Sequence, residues 1–251
     1  GVLPLAIDRR HWLQSRVTGL TTYYSSLFRP ALAPACSVDA LAGCLSHVMD
    51  EVQAAQARFD VMDPEHPSFA ALEAACRLAG LWPYRFFSHG NWYLPVTTRS
   101  FDDYFETRPS RVRNTVRRQG KKFSHQGLGR LALVTGGEPL ELAIGQWIQI
   151  YQASWKQPEP FPDFMPGLIR LCARRGWLRL GMAYYGDMPI AAQIWIVCHG
   201  RAAIYKLAYD QRYAGFSAGT LLTHHLLRHV IEVDGVSEVD YLIGDEDYKQ
   251  D

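Results

Sequence analysis

The sequence predicts an α/β protein, an α+β arrangement around a mixed sheet. Three observations carry that prediction. Short apolar runs alternate with amphipathic segments along the 251 residues. The second half orders itself as strand, two helices, three strands, loop, helix, strand. Hydrophobic residues make up 48% of the chain and aromatic ones 12%, enough surface to bury a packed core.

The first elements are short. Val2–Ile7 and Trp12–Val17 read as strands. Ser37 is placed to cap a helix whose stripe Val38, Leu41, Leu45, Val48 and Val52 repeats at helical spacing. Ala57–Met62 reads as a strand, stopped by Asp63-Pro64. Phe69–Ala79 is a second amphipathic helix, closed by Gly80 just past its last turn. Trp82–Ser88 and Trp92–Val96 flank His89-Gly90-Asn91, a turn composition, and predict a hairpin.

The run RPSRVRNTVRRQGKKF comes next, with Pro109-Ser110 suited to a helix start. Its basic residues are Arg108, Arg111, Arg113, Arg117, Arg118, Lys121 and Lys122, and it holds no acid. Two roles stay open for it: a solvated helix face, or a contact for phosphates. Gly127 and Gly129 make His125–Arg130 turn-like and set the expected division, 1–125 against 126–251. Leu131–Val134 is then a strand and Leu140–Trp155 a helix with Trp147, Ile148 and Tyr151 on one face. A Pro-rich loop, Pro158–Pro166, leads to a helix at Leu168–Arg175 that Gly176 ends. Trp177–Tyr185, Pro189–Cys198 and Ala202–Tyr209 are strands joined by turns at Gly186-Asp187 and His199-Gly200. Leu221–Val233 is a helix and Glu238–Ile243 the last strand. A helix between the last two strands makes them parallel, with a right-handed crossover.

Composition excludes several classes. The 26 Lys+Arg against 25 Asp+Glu give a net charge of +1, which disfavours a globally basic nucleic-acid binder and leaves room only for a local patch. Five cysteines, an odd number with no Cys-x-x-Cys pair, make neither a disulfide framework nor a structural zinc site. A reduced, cytoplasmic setting is expected. No apolar run reaches the roughly 18–20 residues of a membrane span, and the apolar stretch of GVLPLAIDRRHW is too short for a signal peptide. No membrane partner is expected.

The chemistry is expected in Leu207–Leu222, LAYDQRYAGFSAGTLL. A strand ends there, and small residues lead straight into a helix. Backbone N–H groups converge at such a junction and the helix start adds partial positive charge, which suits a phosphate or pyrophosphate. No Lys follows the last Gly, so this is not a GxxxxGK[ST] loop, and the glycine spacing is not the dinucleotide fingerprint.

With this loop, the order of elements resembles the GNAT acyltransferase fold. That family binds the pyrophosphate of acyl-CoA with a Gln/Arg-x-x-Gly-x-Gly/Ala loop. Arg212, Gly215 and Ser217 match it in one register. Ser217 and Gly219 take the two Gly places in the other, which the trailing Thr220-Leu221-Leu222 favours and which puts Ala214 at the Gln/Arg position. Three segments resemble the CelD/BioF-like branch, relatives of the FemAB peptidyltransferases: RPSRVRNTVRRQGKKF, IYKLAYDQRYAGFSAGTLL and VDYLIGDEDYK. The resemblance implies two GNAT-like halves, the first (1–125) degenerate and the second (126–251) holding acetyl-CoA or another acyl-CoA. The GNAT pattern continues past its fifth strand, so the C-terminal end of the domain is expected to be cut short at Asp251.

Acyl transfer needs a base for the nucleophile, donors for the oxyanion and an acid for the leaving thiolate. The resemblance implies that Leu207, Ala208, Gly215, Phe216, Ser217, Ala218, Gly219 and Thr220 hold the donor. Polar residues near the strand ends are the catalytic candidates: Asp245 as base, Tyr248 as acid, and Lys206 and Gln193 on the strands. Trp155, Phe161 and Phe164, around the Pro-rich loop, are expected to line the acceptor site. His225 and His229 share a helix face, but no third ligand is evident, so no metal is expected.

The leading expectation is an acyl-CoA-dependent transferase acting on an amine or hydroxyl of a small-molecule or saccharide acceptor. A FemAB-type enzyme drawing its acyl group from aminoacyl-tRNA is the alternative, and so is an inactive GNAT-fold binding protein. An acyl-carrier protein as donor is also compatible with the loop.

Overall fold

The computed structural model describes residues 1–9, 15–98 and 100–244. The chain divides into two compact units, Gly1–Gly90 and Asn91–Asp251. That division falls ahead of the basic run, whereas the glycine-rich turn suggested residue 125.

The first unit holds β1 (Leu5–Asp8), β2 (Ser15–Gly19), α1 (Val38–Glu51), β3 (Ala54–Arg58) and α2 (Pro67–Leu78). The sheet runs β1-β2-β3, antiparallel then parallel. Ser37 caps α1 as expected, its hydroxyl accepting from the Ala40 N–H at 3.1 Å. Val17, Leu45, Met49 and Cys76 form one core of this unit, and Leu41, Ala42, Leu72 and Ala75 a second. Two expectations change. The third strand lies at Ala54–Arg58 rather than Ala57–Met62, because Gln53 (φ 50°) turns the chain directly out of α1 and Val61 (φ 57°) interrupts any later extended run. Residues 82–88 form no strand, so the expected hairpin is absent. The strand after the turn pairs instead with the distant last strand, and Trp82, Tyr84 and Phe87 stay exposed.

The second unit adds β4 (Asn91–Pro95), α3 (Phe101–Glu106), α4 (Ser110–Phe123), β5 (Gly129–Val134), α5 (Leu140–Gln152), α6 (Phe164–Arg174), β6 (Leu178–Tyr185), β7 (Met188–Cys198), β8 (Arg201–Tyr209), α7 (Ala218–Glu232) and β9 (Glu238–Ile243). Its six strands run β4-β9-β8-β7-β6-β5. All neighbours are antiparallel except β8 and β9, which are parallel across α7 as expected. The sheet is thus mixed, with β4 filling the outer edge of β9.

One face of this sheet carries α7. Leu222, Leu226 and Val230 of α7 bury against Trp195, Ala202, Val239 and Phe101. Gly181 permits the contact: a Cβ there would lie 2.8 Å from Leu226 Cδ1. Truncating Leu226 to Ala would cost about 2–5 kcal/mol. The basic run forms α4 as predicted. Its apolar side joins the same face, with Phe123 and Val116 packed against Ala218, Leu221 and Ile190. Short α3 went unpredicted; its first residue, Phe101, is fully buried. No helix among the described residues is long and apolar enough to cross a membrane.

Candidate functional site

The sheet opens between β8 and β9. Their parallel pairing covers Arg201–Glu238, Ala202–Val239 and Ala203–Asp240 and ends there. Two local features bend the strands apart. Tyr205 is an extra residue in β8, since Ile194 faces Lys206 while Trp195 faces Ile204. On β9, Leu242 adopts a left-handed conformation (φ 57°), stabilised by its N–H donating to the buried Asp240 carboxylate at 2.8 Å. From Ile204 to Tyr209, β8 stays paired with β7, while its parallel ladder with β9 is registered only over Arg201–Ala203.

The loop beyond β8 is fixed at both ends. Asp210, 3% exposed, accepts from the Arg212 N–H at 3.0 Å and pairs with its guanidinium at 2.6 Å. The Arg212 side chain holds the Asp210 carboxyl below the usual carboxylate range. A 3₁₀ turn, Gln211–Phe216, follows. Phe216 packs on Tyr185 with ring centroids 4.6 Å apart and on Phe123 at 6.1 Å. Ser217 is left-handed (φ 50°), and α7 begins at Ala218 with no side-chain cap. The N–H groups of Ala218, Gly219 and Thr220 therefore sit in the uncapped first turn, with the helix dipole behind them. A Cβ on Gly219 would meet only Tyr209 Cδ1, at 4.0 Å, so the space beside it is open.

A cation reaches the loop from α4. Lys122 Nζ donates to the Gly215 carbonyl at 3.1 Å and lies 5.2 Å from the centre of the Phe216 ring. The sequence run signals Lys122 only as one base among seven.

Gln193 and Lys206 occupy opposite faces of the sheet. Gln193, 1% exposed, donates to the Gly219 carbonyl at 3.0 Å and to Thr223 Oγ1 at 2.8 Å, and accepts from Trp195 Nε1 at 2.9 Å. Its amide ties the first turn of α7 to β7. Lys206 lies on the α5 face, ion-paired with Glu159 and 5.3 Å from the centre of the Tyr151 ring. Both partners are largely buried. Glu159 is a residue the sequence reading missed. It stands between two prolines, and nothing local signals that the loop folds it against β8.

Trp155 packs on Tyr209, the last residue of β8, with tilted rings and centroids 4.6 Å apart, and thus lies beside the loop. Phe161 and Phe164 are on the exposed side of the Pro-rich segment. Leu207 and Ala208 pair with Gln193 and Ala192 on the opened strand. Asp245 and Tyr248 lie outside the described residues. Burial pushes the His224 and His225 imidazoles down. The described residues contain no group of three or more metal-ligating side chains.

A family model described as the acetyltransferase (GNAT) domain matches residues 110–250, more than half of the chain. No curated protein matches. Among solved structures, FemX aligns over 97% of this chain and 76% of its own, with a TM-score of 0.61 at 9% identity. The C-terminal domain of a protein described as a lysylphosphatidylglycerol synthetase from Agrobacterium fabrum aligns over 98% of this chain and 68% of its own, with a TM-score of 0.57 at 11% identity. L-PGS from Bacillus licheniformis gives 92%, 63%, 0.58 and 13% for the same four quantities. Likeness at these identities is likeness of fold.

Proposed function

The chain belongs to the acetyltransferase (GNAT) domain family, and from that premise we propose that it moves an acetyl or other acyl group from acyl-CoA to an amine or hydroxyl of a small-molecule or sugar-linked acceptor. One observation carries the reading: β8, parted from β9 beyond Ala203, leads through the Gln211–Phe216 turn into the uncapped first turn of α7. Acyl-CoA would supply the thioester-activated acyl group. The Gly219 and Thr220 N–H groups, with Ala218 and the Lys122 ammonium beside them, would hold its diphosphate. Backbone groups of Leu207 and Ala208 orient the pantetheine arm and the acyl carbonyl. Gln193 acts through α7, as a positioning residue.

On the α5 face, Lys206 and Glu159 form the polar pair that orients the acceptor, with Trp155, Phe161 and Phe164 around it. Asp245 is assigned as the base that takes the nucleophile's proton. Tyr248 is assigned as the acid that protonates the departing thiolate. Both assignments rest on sequence position after β9. The CelD/BioF-like branch is the finer family reading, with the first unit as its degenerate GNAT-like half. Five unpaired thiols support a cytoplasmic setting.

A FemAB-type transferase fed by aminoacyl-tRNA is the second reading, favoured by the basic face of α4 beside the loop. The deciding experiment is calorimetric titration of the chain with acetyl-CoA, free CoA and pantetheine. Both CoA forms should bind, pantetheine at least about tenfold more weakly, and Gly219→Trp should abolish binding while the protein stays folded. Failure of every CoA form to bind removes the free-CoA reading and sends the search to charged tRNA and acyl-carrier protein. An inactive scaffold remains only if those fail as well.

A further inference from the structure

We propose that the outer face of α4 is a docking surface for the phosphate backbone of a base-paired nucleic acid. The helix is divided by chemistry. Val116 and Phe123 turn inward and pack against α7 and β7. On the outer arc, Arg111, Arg117, Arg118, Lys121 and Lys122 are all exposed. Helical geometry places these five within an arc of about 140°, at ~100° per residue. Arg111, Asn114, Thr115, Arg117, Arg118 and Lys121 border an open groove of about 530 Å³. Among the described residues, Arg117, Arg118 and Lys121 make no ion pair, whereas Arg113, on the other side, is taken by Glu106.

Charge is segregated onto this element. The segment Arg108–Lys122 holds seven of the 26 bases and no acid, so the other 19 bases stand against 25 acids. An otherwise acidic chain thus concentrates positive charge on one helix, and a polyanion is its complement.

Three observations choose among polyanions. Arg111 to Lys122 spans about 16 Å at ~1.5 Å per residue, which at ~3.4 Å per phosphate along one strand of a duplex matches about five phosphates to five cations. No aromatic side chain lies on the arc, so it offers backbone contacts and no stacking platform for single-stranded bases. Its apolar side is buried in the core, so the helix has nothing to insert into a lipid surface. The face ends at Lys122, on the loop that precedes α7.

Fluorescence anisotropy on the full chain, with a short labelled RNA duplex of mixed sequence and the same duplex in DNA, tests this. Binding should be sequence-independent and should weaken steeply between about 50 and 200 mM salt. The variant Arg117→Gln/Arg118→Gln/Lys121→Gln should bind at least about tenfold more weakly, with a salt slope smaller by about three phosphate contacts. Arg118→Glu alone is the second variant, should the triple fail to fold. Gly219→Trp should leave duplex affinity unchanged, which separates this proposal from the donor-site reading. The proposal is overturned if neither duplex binds. It falls equally if the variants keep the wild-type affinity and slope. Tighter binding to phosphatidylglycerol vesicles or to an acyl-carrier protein also overturns it.

Discussion

Two of the three hydrogen bonds of Gln193 join β7 to the start of α7, at the point where the donor is read to sit, and the third comes from Trp195 on β7 itself. Replacing it with Leu preserves volume but strands the Trp195 N–H and removes two bonds to α7. That should cost about 2–3 kcal/mol of stability, measured by urea denaturation, and weaken CoA binding in parallel. A Leu variant as stable as the parent would show that the amide is dispensable. Lys206 and Glu159 present the other residue-scale case. The pair is largely buried, so Lys206→Met removes the buried cation beside the Glu159 carboxylate and should destabilise by about 3 kcal/mol. Removing both charges, with Lys206→Met and Glu159→Leu together, should recover most of that loss. If the double variant is no better than the single, the cost lies in packing rather than charge.

At the scale of elements, the loop between β8 and α7 depends on one ionised carboxylate. Arg212 lowers the Asp210 carboxyl by side-chain hydrogen bonding first, against burial, which raises it; the Arg212 backbone N–H adds to the lowering. A carboxyl lowered in the folded state contributes stability above its unfolded value, about 3.9, and loses it as pH falls through the folded value. The melting temperature should therefore drop along with donor binding below about pH 4. Asp210→Asn should flatten that part of the profile, and an unchanged profile in the variant would assign the acid loss to other groups. The elements most legible in the sequence are those set by local chemistry. Ser37 as a cap, Pro109-Ser110 as a helix start and the turns at Gly186 and Gly200 each act within a few residues. The pairing of β4 with β9 spans more than a hundred residues and leaves no local trace, so a hairpin composition around Gly90 misled. The same holds for the site. The small residues before α7 announce a helix start with open amides, while Glu159 and Lys122 reach it only through tertiary packing.

For the whole molecule, the division at Gly90–Asn91 makes a sharp claim about where the donor chemistry resides. The opened edge of β8, the loop, α7, the α4 cation and the Lys206–Glu159 pair all belong to the second unit. Both core clusters that seat α7 draw their residues from this unit as well, from Phe101 to Val239. Its sheet is closed on the β9 side by its own β4. A fragment of about 160 residues is also large enough to bury roughly two-thirds of its surface. The fragment Asn91–Asp251 should therefore fold cooperatively alone and bind CoA within about threefold of the full chain. Circular dichroism melting and calorimetric titration check the two parts separately. A fragment that folds but loses CoA would show that the first unit contributes to the donor site. One that fails to fold would show that the buried surface of the second unit does not suffice without Gly1–Gly90.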